Sequence, residues 1–477
     1  MNSDSQFIET VNKFSQFLPV LNGYVNLRTL WMTKKDFWNS NDRRLLCYLK
    51  LKKSKSRDYL ESEDFRNYII SRISNPNDQI SLNLSYCDGI TDMSILGNVH
   101  TLNLSGCDGI TDVSSLGNLH TLDLWGCQNI TDVSSLGNVH TLNLSWCRGI
   151  TDVSSLGNVH ILNISNCYEI TDVSNLGNVH TLNLSGCHRI SDVSSLGNVH
   201  TLNLSNCDGI TDVSSLGNVH ILNLANCVRI TDVSCLGNVH TLNLSYCKAI
   251  IDVSNLGNVY ELDLRKCRRI TDVSCLGNVH TLNLSKCSCI KDVSHLRNVH
   301  KLDLSWCGGI TDVSSLGNVH ALNLSECRIT DVSSLGNVHT LDLSGCDRIT
   351  DVSCLGSVHK LNLSYCFGIT DVSSLGNVHT LNLSYCKRIK DISNLRNVHT
   401  LKYLGCNGII DVSIPGNVHE LGLLGCDGIP DDVSSLGGVH TLNLGVIFGR
   451  IIEILLLLII ITTIMLITNL VIQFFSH

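Results

Sequence analysis

The sequence has no excess of basic charge. Its 34 Lys and Arg stand against 42 Asp and Glu, a formal net charge of −8, which argues against nucleic acid as a partner. Aromatics make up 5 % and proline occurs 4 times in 477 residues, so any place where aromatics gather stands out. Residues 1–6 are polar and lack the apolar core of a secretory signal. Outside repeated columns there is no nucleophile beside a base, no Gly-rich phosphate loop and no pair of acids. These absences lead us to expect a non-enzymatic protein with no cofactor and no metal.

What is present is a repeat. The stretch 99–118, VHTLNLSGCDGITDVSSLGN, returns almost unchanged from about residue 80 to about residue 445. Nineteen copies of its Leu-x-Leu core run from Leu82 and Leu84 to Leu442 and Leu444. The apolar positions are Val99, Leu102, Leu104, Cys107, Ile110, Val113 and Leu116. Leu102 and Leu104 alternate with polar Thr101, Asn103 and Ser105, the pattern of a short strand with one buried face. Asp112 can accept backbone N–H groups two or three residues on and so start a turn or short helix. Gly117-Asn118 reads as a turn back to the next strand.

Strand, turn, one 3₁₀-like turn and a second turn fill the repeat and leave no room for an outer α-helix. The expected class is α/β: a solenoid with one long parallel β-sheet and short turn or 3₁₀ outer segments, preceded by a small helical N-terminal domain. Strands stacked ~4.8 Å apart would give a weakly curved rod roughly 90 Å long. One coil alone buries too little to offset its backbone entropy, so stacking is required.

The pattern L-x-x-L-x-L-x-x-C-x-x-I-T-D resembles the leucine-rich repeat in its cysteine-containing form. Cys107 matches the family's Asn/Cys ladder position and 110–112 its I-T-D. The resemblance covers about three quarters of the chain. The near-identity of copies is similar to leucine-rich repeat proteins of large DNA viruses. Family membership implies a protein partner and does not identify it.

Of 23 cysteines, eighteen fall on the ladder, from Cys87 to Cys426. Stacked ladder positions lie ~4.8 Å apart with parallel side chains, wider than the ~3.8 Å a disulfide prefers. We expect buried thiols with weak hydrogen bonds to backbone. Cys287 and Cys289 form a lone C-x-C. Asn-Leu-Ser recurs at Asn103, Asn143 and Asn183. As glycosylation sites on neighbouring strands these would crowd glycans ~5 Å apart, which favours a cytoplasmic repeat domain. Stacked Asn side chains are expected to hydrogen-bond along the rod. One His per copy, from His100 to His440 with Tyr260 as the exception, should form a column of partly exposed neutral imidazoles. Acid would turn that column into a row of like charges.

Residues 1–79 differ in kind. Phe7, Val11, Phe14 and Leu18 predict a helix stopped by Pro19; Asp42 caps a second carrying Leu45, Leu46 and Leu49; Phe65, Tyr68, Ile69 and Ile73 mark a third. Residues 75–78 read as a linker. This segment is either a cap on the first strand edge or a module for a partner. The run 17–38, with Leu18, Leu27, Leu30, Phe37 and Trp38, resembles the later part of an F-box. That resemblance implies docking on the adaptor of a cullin-type ubiquitin ligase. The basic run 50–57 reads as a solvated segment or as a nuclear or anionic-lipid address. At the other end, residues 446–477 form a third region. Its run 454–472 has nineteen residues without charge, long enough to span a membrane as a tail anchor. Its alternatives are a hydrophobic cap on the last strand and a degenerate tail.

Within the array, 80–445, variation gathers beside the ladder cysteine. Trp125, Trp146, Tyr168, Tyr246, Trp306, Tyr365, Phe367 and Tyr385 stand there. Lys248, Arg265, Lys266, Arg268, Arg269 and Lys286 occupy the same columns, with Lys291, Arg297 and Lys301 close by. Aromatic and basic side chains at strand ends are what protein interfaces favour, so these residues are the candidate contact site for a protein, an acidic one in the basic stretch. The copy after Cys327 is one residue short, the copy at 429–432 one residue long. Consensus fades over 401–445, where Lys402 and Gly422 replace Asn and Pro415 replaces Leu.

Overall fold

The structure, a computed structural model, describes residues 49–71, 80–87, 89–90, 93–395, 397–405, 418–422 and 441–443. It falls into two compact units, Met1–Ala249 and Ile250–His477. The first unit opens with β1 (Leu49–Lys50), α1 (Lys53–Glu61) and α2 (Glu63–Ser71), followed by β2 (Ile80–Asn83) and β3 (Thr101–Asn103). One strand then comes every twenty residues: β4 (Thr121–Asp123), β5 (Thr141–Asn143), β6 (Ile161–Asn163), β7 (Thr181–Asn183), β8 (Thr201–Asn203), β9 (Ile221–Asn223) and β10 (Thr241–Asn243). The second unit runs from β11 (Glu261–Asp263) through β12 (Thr281–Asn283), β13 (Lys301–Asp303), β14 (Ala321–Asn323), β15 (Thr340–Asp342), β16 (Lys360–Asn362), β17 (Thr380–Asn382), β18 (Thr400–Lys402) and β19 (Glu420–Gly422) to β20 (Thr441–Asn443).

Within each unit the pairs are parallel and like lies against like. Leu102 pairs with Leu122 in the first unit and Leu282 with Leu302 in the second. The short copy after Cys327 keeps this register, since Ala321 pairs with Thr340, and the residue is lost from the loop. From β3 on each strand is only three residues long, yet the ladder extends past both ends. Thr121 N–H donates to the His100 carbonyl at 3.0 Å and Leu104 N–H to Asp123 at 2.8 Å. Between strands runs a 3₁₀ turn of three to five residues, such as Ser114–Leu116 or Ser154–Asn158. As the sequence suggests, Asp112 Oδ1 accepts the Ser114 N–H at 2.9 Å to begin it.

All seven apolar positions of the consensus copy are buried, none more than 2 % exposed. The ladder cysteines do more than fill space. Ladder thiols donate to the carbonyl of the second core Leu or Ile in the preceding coil, as in Cys107 to Leu84 at 3.2 Å and Cys287 to Leu264 at 3.1 Å. Every described cysteine is a free thiol. Burial pushes Cys187 and Cys227 up to about 11, so these thiols stay neutral. A second rank shares this wiring: Ser135 Oγ donates to Val113 and Cys235 Sγ to Val213. Tyr403 replaces a core Leu, and its buried hydroxyl donates to the Ile389 carbonyl at 2.9 Å.

Four expectations can be placed on the structure. Leu49 lies on a strand, not a helix: β1 pairs with β2, Leu49 against Ile80, and Leu49 and Leu51 are both buried. A non-local ladder outweighs local helix spacing here. The basic run 50–57 is partly the start of α1, which buries only Ser56 and Tyr59 and leaves its lysines exposed. On α2 Ile69 is buried while Tyr68 is 41 % exposed, so its apolar face is narrower than the spacing predicts. Fourth, the Asn column works mainly within each coil. Asn103 Oδ1 accepts the Ser105 N–H, and Asn143 Oδ1 the Ser145 N–H. Lateral side-chain bonds are made where Asp stands in the column: Asn103 and Asn143 both donate to Asp123, and Asn362 to Asp342.

Among the described residues no helix is long and apolar enough to cross a membrane. The run 454–472, the helices at 7–18 and 42–48, the F-box-like run 17–38, the linker 75–78 and the slip at 429–432 all lie outside those residues.

The Gly of the Gly-Asn turn has an ordinary φ, −65° at Gly117. It is required by the next coil instead. A Cβ on Gly157 would stand 2.3 Å from the Asn175 carbonyl oxygen. Gly157→Ala is therefore expected to cost about 1–3 kcal/mol, read as a lower urea midpoint, with exposed Asn158→Ala as a near-neutral control. An unchanged midpoint for Gly157→Ala would show that the coils can part without loss.

Candidate functional site

Directly before the ladder cysteine the backbone turns left-handed. In the first unit φ is +66° at Gly106, +66° at Trp146 and +59° at Asn166; in the second it is +62° at Lys266, +62° at Trp306 and +63° at Tyr385. The cause is a tight turn. Cys147 N–H donates to the Leu144 carbonyl at 3.1 Å, so Trp146 is the third residue of a four-residue turn, with positive φ there alone, as in type II. Its own N–H continues the ladder to Ser165 at 2.9 Å. The position suits Gly or Asn, and a residue with a Cβ pays about 1–2 kcal/mol there. Gly106, Gly126, Gly186 and Asn206 take the cheap solution; Tyr86, Trp146, Tyr246, Lys266, Lys286, Trp306, Glu326, Tyr365 and Tyr385 do not. Sequence reasoning found many of these residues but missed the conformation. The mixture of Gly and Asn in one column was the available signal.

Each unit arranges the predicted residues differently. In the first, exposed Trp125 lies edge-on to Tyr86 at 6.4 Å. Trp146 is half-buried and edge-on to Tyr168 at 6.1 Å, with the Arg148 guanidinium 5.8 Å from one ring and 5.7 Å from the other. Lys248 is exposed. In the second, Lys286 Nζ lies 5.3 Å over the Trp306 ring, which is 54 % exposed. Such a pair joins an apolar face to a cation. Arg268 and Arg269 are exposed and Lys266 half-buried. Tyr365 stacks on Tyr385 at 4.5 Å, with Phe367 edge-on at 6.4 Å. Gly405 leaves the space in which the Tyr385 ring lies.

Arg265 is turned back on its own strand, its guanidinium 2.9 Å from the Asp263 carboxylate. The three basic residues expected close by stand on other columns. Arg297 ends a 3₁₀ turn, Lys301 opens β13 and Lys291 precedes the turn-starting Asp292.

Two titratable columns accompany the strip. The histidine rings stack at 4.5–4.8 Å in the first unit and, with Tyr260, at 4.5–5.0 Å in the second. Nδ1 of His120 and of His200 lies 3.2 Å from the hydroxyl of the following Thr. Desolvation, and then the neighbouring imidazoles, hold His160, His200, His300 and His359 below the usual histidine value. The aspartate column is shifted the same way for a different reason: the Ser114 backbone N–H holds Asp112 below the usual carboxylate range, and Ser134 does the same for Asp132. Stacked rings direct their lone pairs side by side, not at one point, and the described residues hold no group of three or more ligands suited to a metal.

The family model described as Leucine Rich repeat matches residues 295–314 and 337–355. A solved structure of a TLR13–ssRNA13 complex is similar over 76 % of this chain and 62 % of that one, with 20 % identity and a TM-score of 0.51. The fold is that of leucine-rich repeats. The functional domain of InlJ from Listeria monocytogenes, described as including a cysteine ladder, matches with 22 % identity over 65 % of this chain and 68 % of that one, TM-score 0.43. A leucine-rich repeat protein of Leptospira interrogans matches with 17 % identity over 78 % and 97 %, TM-score 0.47. No curated protein matches the chain.

Two outcomes follow from this geometry. Exposed Glu326, at φ +60°, should give a more stable protein as Glu326→Gly, by roughly 0.5–1 kcal/mol, and a less stable one as Glu326→Val; the opposite order in urea denaturation would refute the strain. The histidines with lowered folded values stabilise above about pH 6.5 and lose that contribution as pH falls. The aspartates keep theirs until below about pH 3.8. The melting temperature should therefore drop between pH 7.5 and 5, and a flat profile over that range would show that the row takes up protons without penalty.

Proposed function

We propose that the protein is a non-enzymatic interaction scaffold that uses the left-handed column and its flanks to hold a protein partner. The observation that carries this reading is the strain. Trp, Tyr and Lys occupy backbone positions that Gly and Asn fill at lower cost, in a repeat where most other columns are uniform. Residues kept against a backbone penalty cluster at functional sites. Aromatic and cationic side chains are also those that dominate binding energy at protein interfaces. In the second unit Lys266, Arg268, Arg269, Lys286 and Trp306 fit a partner with an acidic face bearing an apolar anchor; Tyr365 and Tyr385 extend the apolar part. In the first, Trp125, Trp146 and Lys248 supply smaller patches. The segment 49–71 would serve as a cap, because β1 occupies the outer edge of β2. Under the same reading the run 17–38 would attach the scaffold to a ubiquitin-ligase adaptor and the run 454–472 would tether it to a membrane; both rest on sequence alone.

The test is affinity capture from the native cell with the whole chain, compared with Lys266→Glu/Lys286→Glu and with Trp306→Ala. A partner held through this strip should be lost by at least tenfold in both variants at unchanged melting temperature, and kept with a control charge at exposed Asn318→Asp. Partners retained equally by all forms would remove the strip from consideration.

A further inference from the structure

We propose that the histidine row of the first unit is an acid-gated binding site for a linear polyphosphate chain. The row runs without interruption from His100 to His240, with rings 4.5–4.8 Å apart and all but the first histidine exposed. The columns that flank it in the sequence carry no fixed charge. The exposed column two residues before it is Asn throughout, from Asn98 to Asn238, the buried residue between is Val or Leu, and the following column is Thr or Ile, from Thr101 to Thr241. The 3₁₀ turns packed beside it hold Ser, Asn, Ile, Leu and Gly, and one thiol, Cys235, which burial keeps neutral. The nearest acid along a strand is Asp123, whose carboxylate is already engaged by Asn103, Asn143 and the Trp125 N–H. The second unit differs. There Tyr260 interrupts the series, and Glu261, Lys301, Lys360 and Glu420 stand in the flanking column.

At pH 7.5 the row is neutral and the chain carries net negative charge, so a polyanion is not attracted. Imidazoles take up protons in mild acid; at His160 and His200 desolvation and the neighbouring rings hold that uptake to lower pH than is usual for histidine. Protonating one ring raises the cost for the next, so charging is gradual and leaves the row under mutual repulsion. An anion with a charge on every link, lying along the row, removes that repulsion. Proton uptake and binding are then linked, each favouring the other. A phosphate chain suits the site better than a nucleic acid strand, because the flanking columns offer no aromatic platform for bases.

The test measures binding of long-chain inorganic polyphosphate to the whole protein at pH 5.0 and 7.5. Binding should be at least tenfold tighter at pH 5.0. Thr141→Glu/Thr181→Glu places acids beside the row in a column where the chain itself carries Glu261 and Glu420. It should weaken binding at pH 5.0 by threefold or more. Lys266→Glu/Lys286→Glu, which changes net charge by twice as much but lies elsewhere, should weaken it less. On the unsubstituted protein, polyphosphate should move the NMR titration midpoint of the histidine rings upward by about half a unit or more. Equal affinity at both pH values, no binding at pH 5.0, a larger effect from the lysine pair, or an unmoved midpoint would each overturn the proposal.

Discussion

In-register pairing of parallel strands one period apart is the constraint on which the rest of the protein depends. Because Leu102 pairs with Leu122 and Leu282 with Leu302, every side chain in a unit meets its own equivalent. The ladder is thin, three residues per strand, and is reinforced from both sides. Thiols reach back from Cys107 to Leu84, and backbone N–H groups reach forward from Leu104 to Asp123. The reciprocal demand falls on the outer turn, where neighbouring coils approach so closely that Gly157 has no room for a Cβ. A coil is thus defined by its neighbours more than by its own twenty residues.

Repetition converts small local effects into columns. One exposed imidazole has little consequence; in a stack at contact distance each ring bears on the next, as the neighbours of His160 and His200 do on theirs. The aspartates show the opposite outcome from the same arithmetic. Asp112 and its equivalents also recur in every coil, but a backbone N–H of the same turn stabilises the carboxylate, as at Asp112 and Asp132, and so favours its ionised form there. In the first unit His140 and His200 have a threonine hydroxyl beside them, and His160 and His220 are followed by an isoleucine. What separates a stable charged column from a pH-sensitive one is therefore the partner each member finds within its own coil.

The parts of the fold that were legible in the sequence are those set by period and polarity. The apolar columns, the buried thiols and the turn-starting aspartate follow from chemistry that repeats at every copy. Features that depend on geometry between atoms were not legible. Leu49 sits at helical spacing with Leu45 and Leu46, and only its pairing with Ile80, thirty-one residues on, makes it a strand. The Asn column looked like a ladder along the sheet, but a bond two residues away, to Ser105 N–H, competes successfully with one to the next coil. Arg265 belonged by position to the basic surface and is instead held by Asp263.

The left-handed column shows how such a fold separates the role of a residue's backbone from the choice of its side chain. The residue there contributes its N–H to the ladder, as Lys266 does to Ser285 and Trp306 to Ser325, and the next residue is a buried cysteine. Its backbone is held on both sides, so the turn tolerates a Cβ that the conformation disfavours. Its side chain lies at the surface, half-buried at Lys266 and exposed at Trp306. A position that is over-determined in its backbone and undetermined in its side chain can vary freely at a bounded cost, about 1–2 kcal/mol per residue. Variation at a Leu or Cys column would instead disturb both neighbouring coils. Sequence variation gathers beside the ladder cysteine because that is where this fold can change its surface without changing its register.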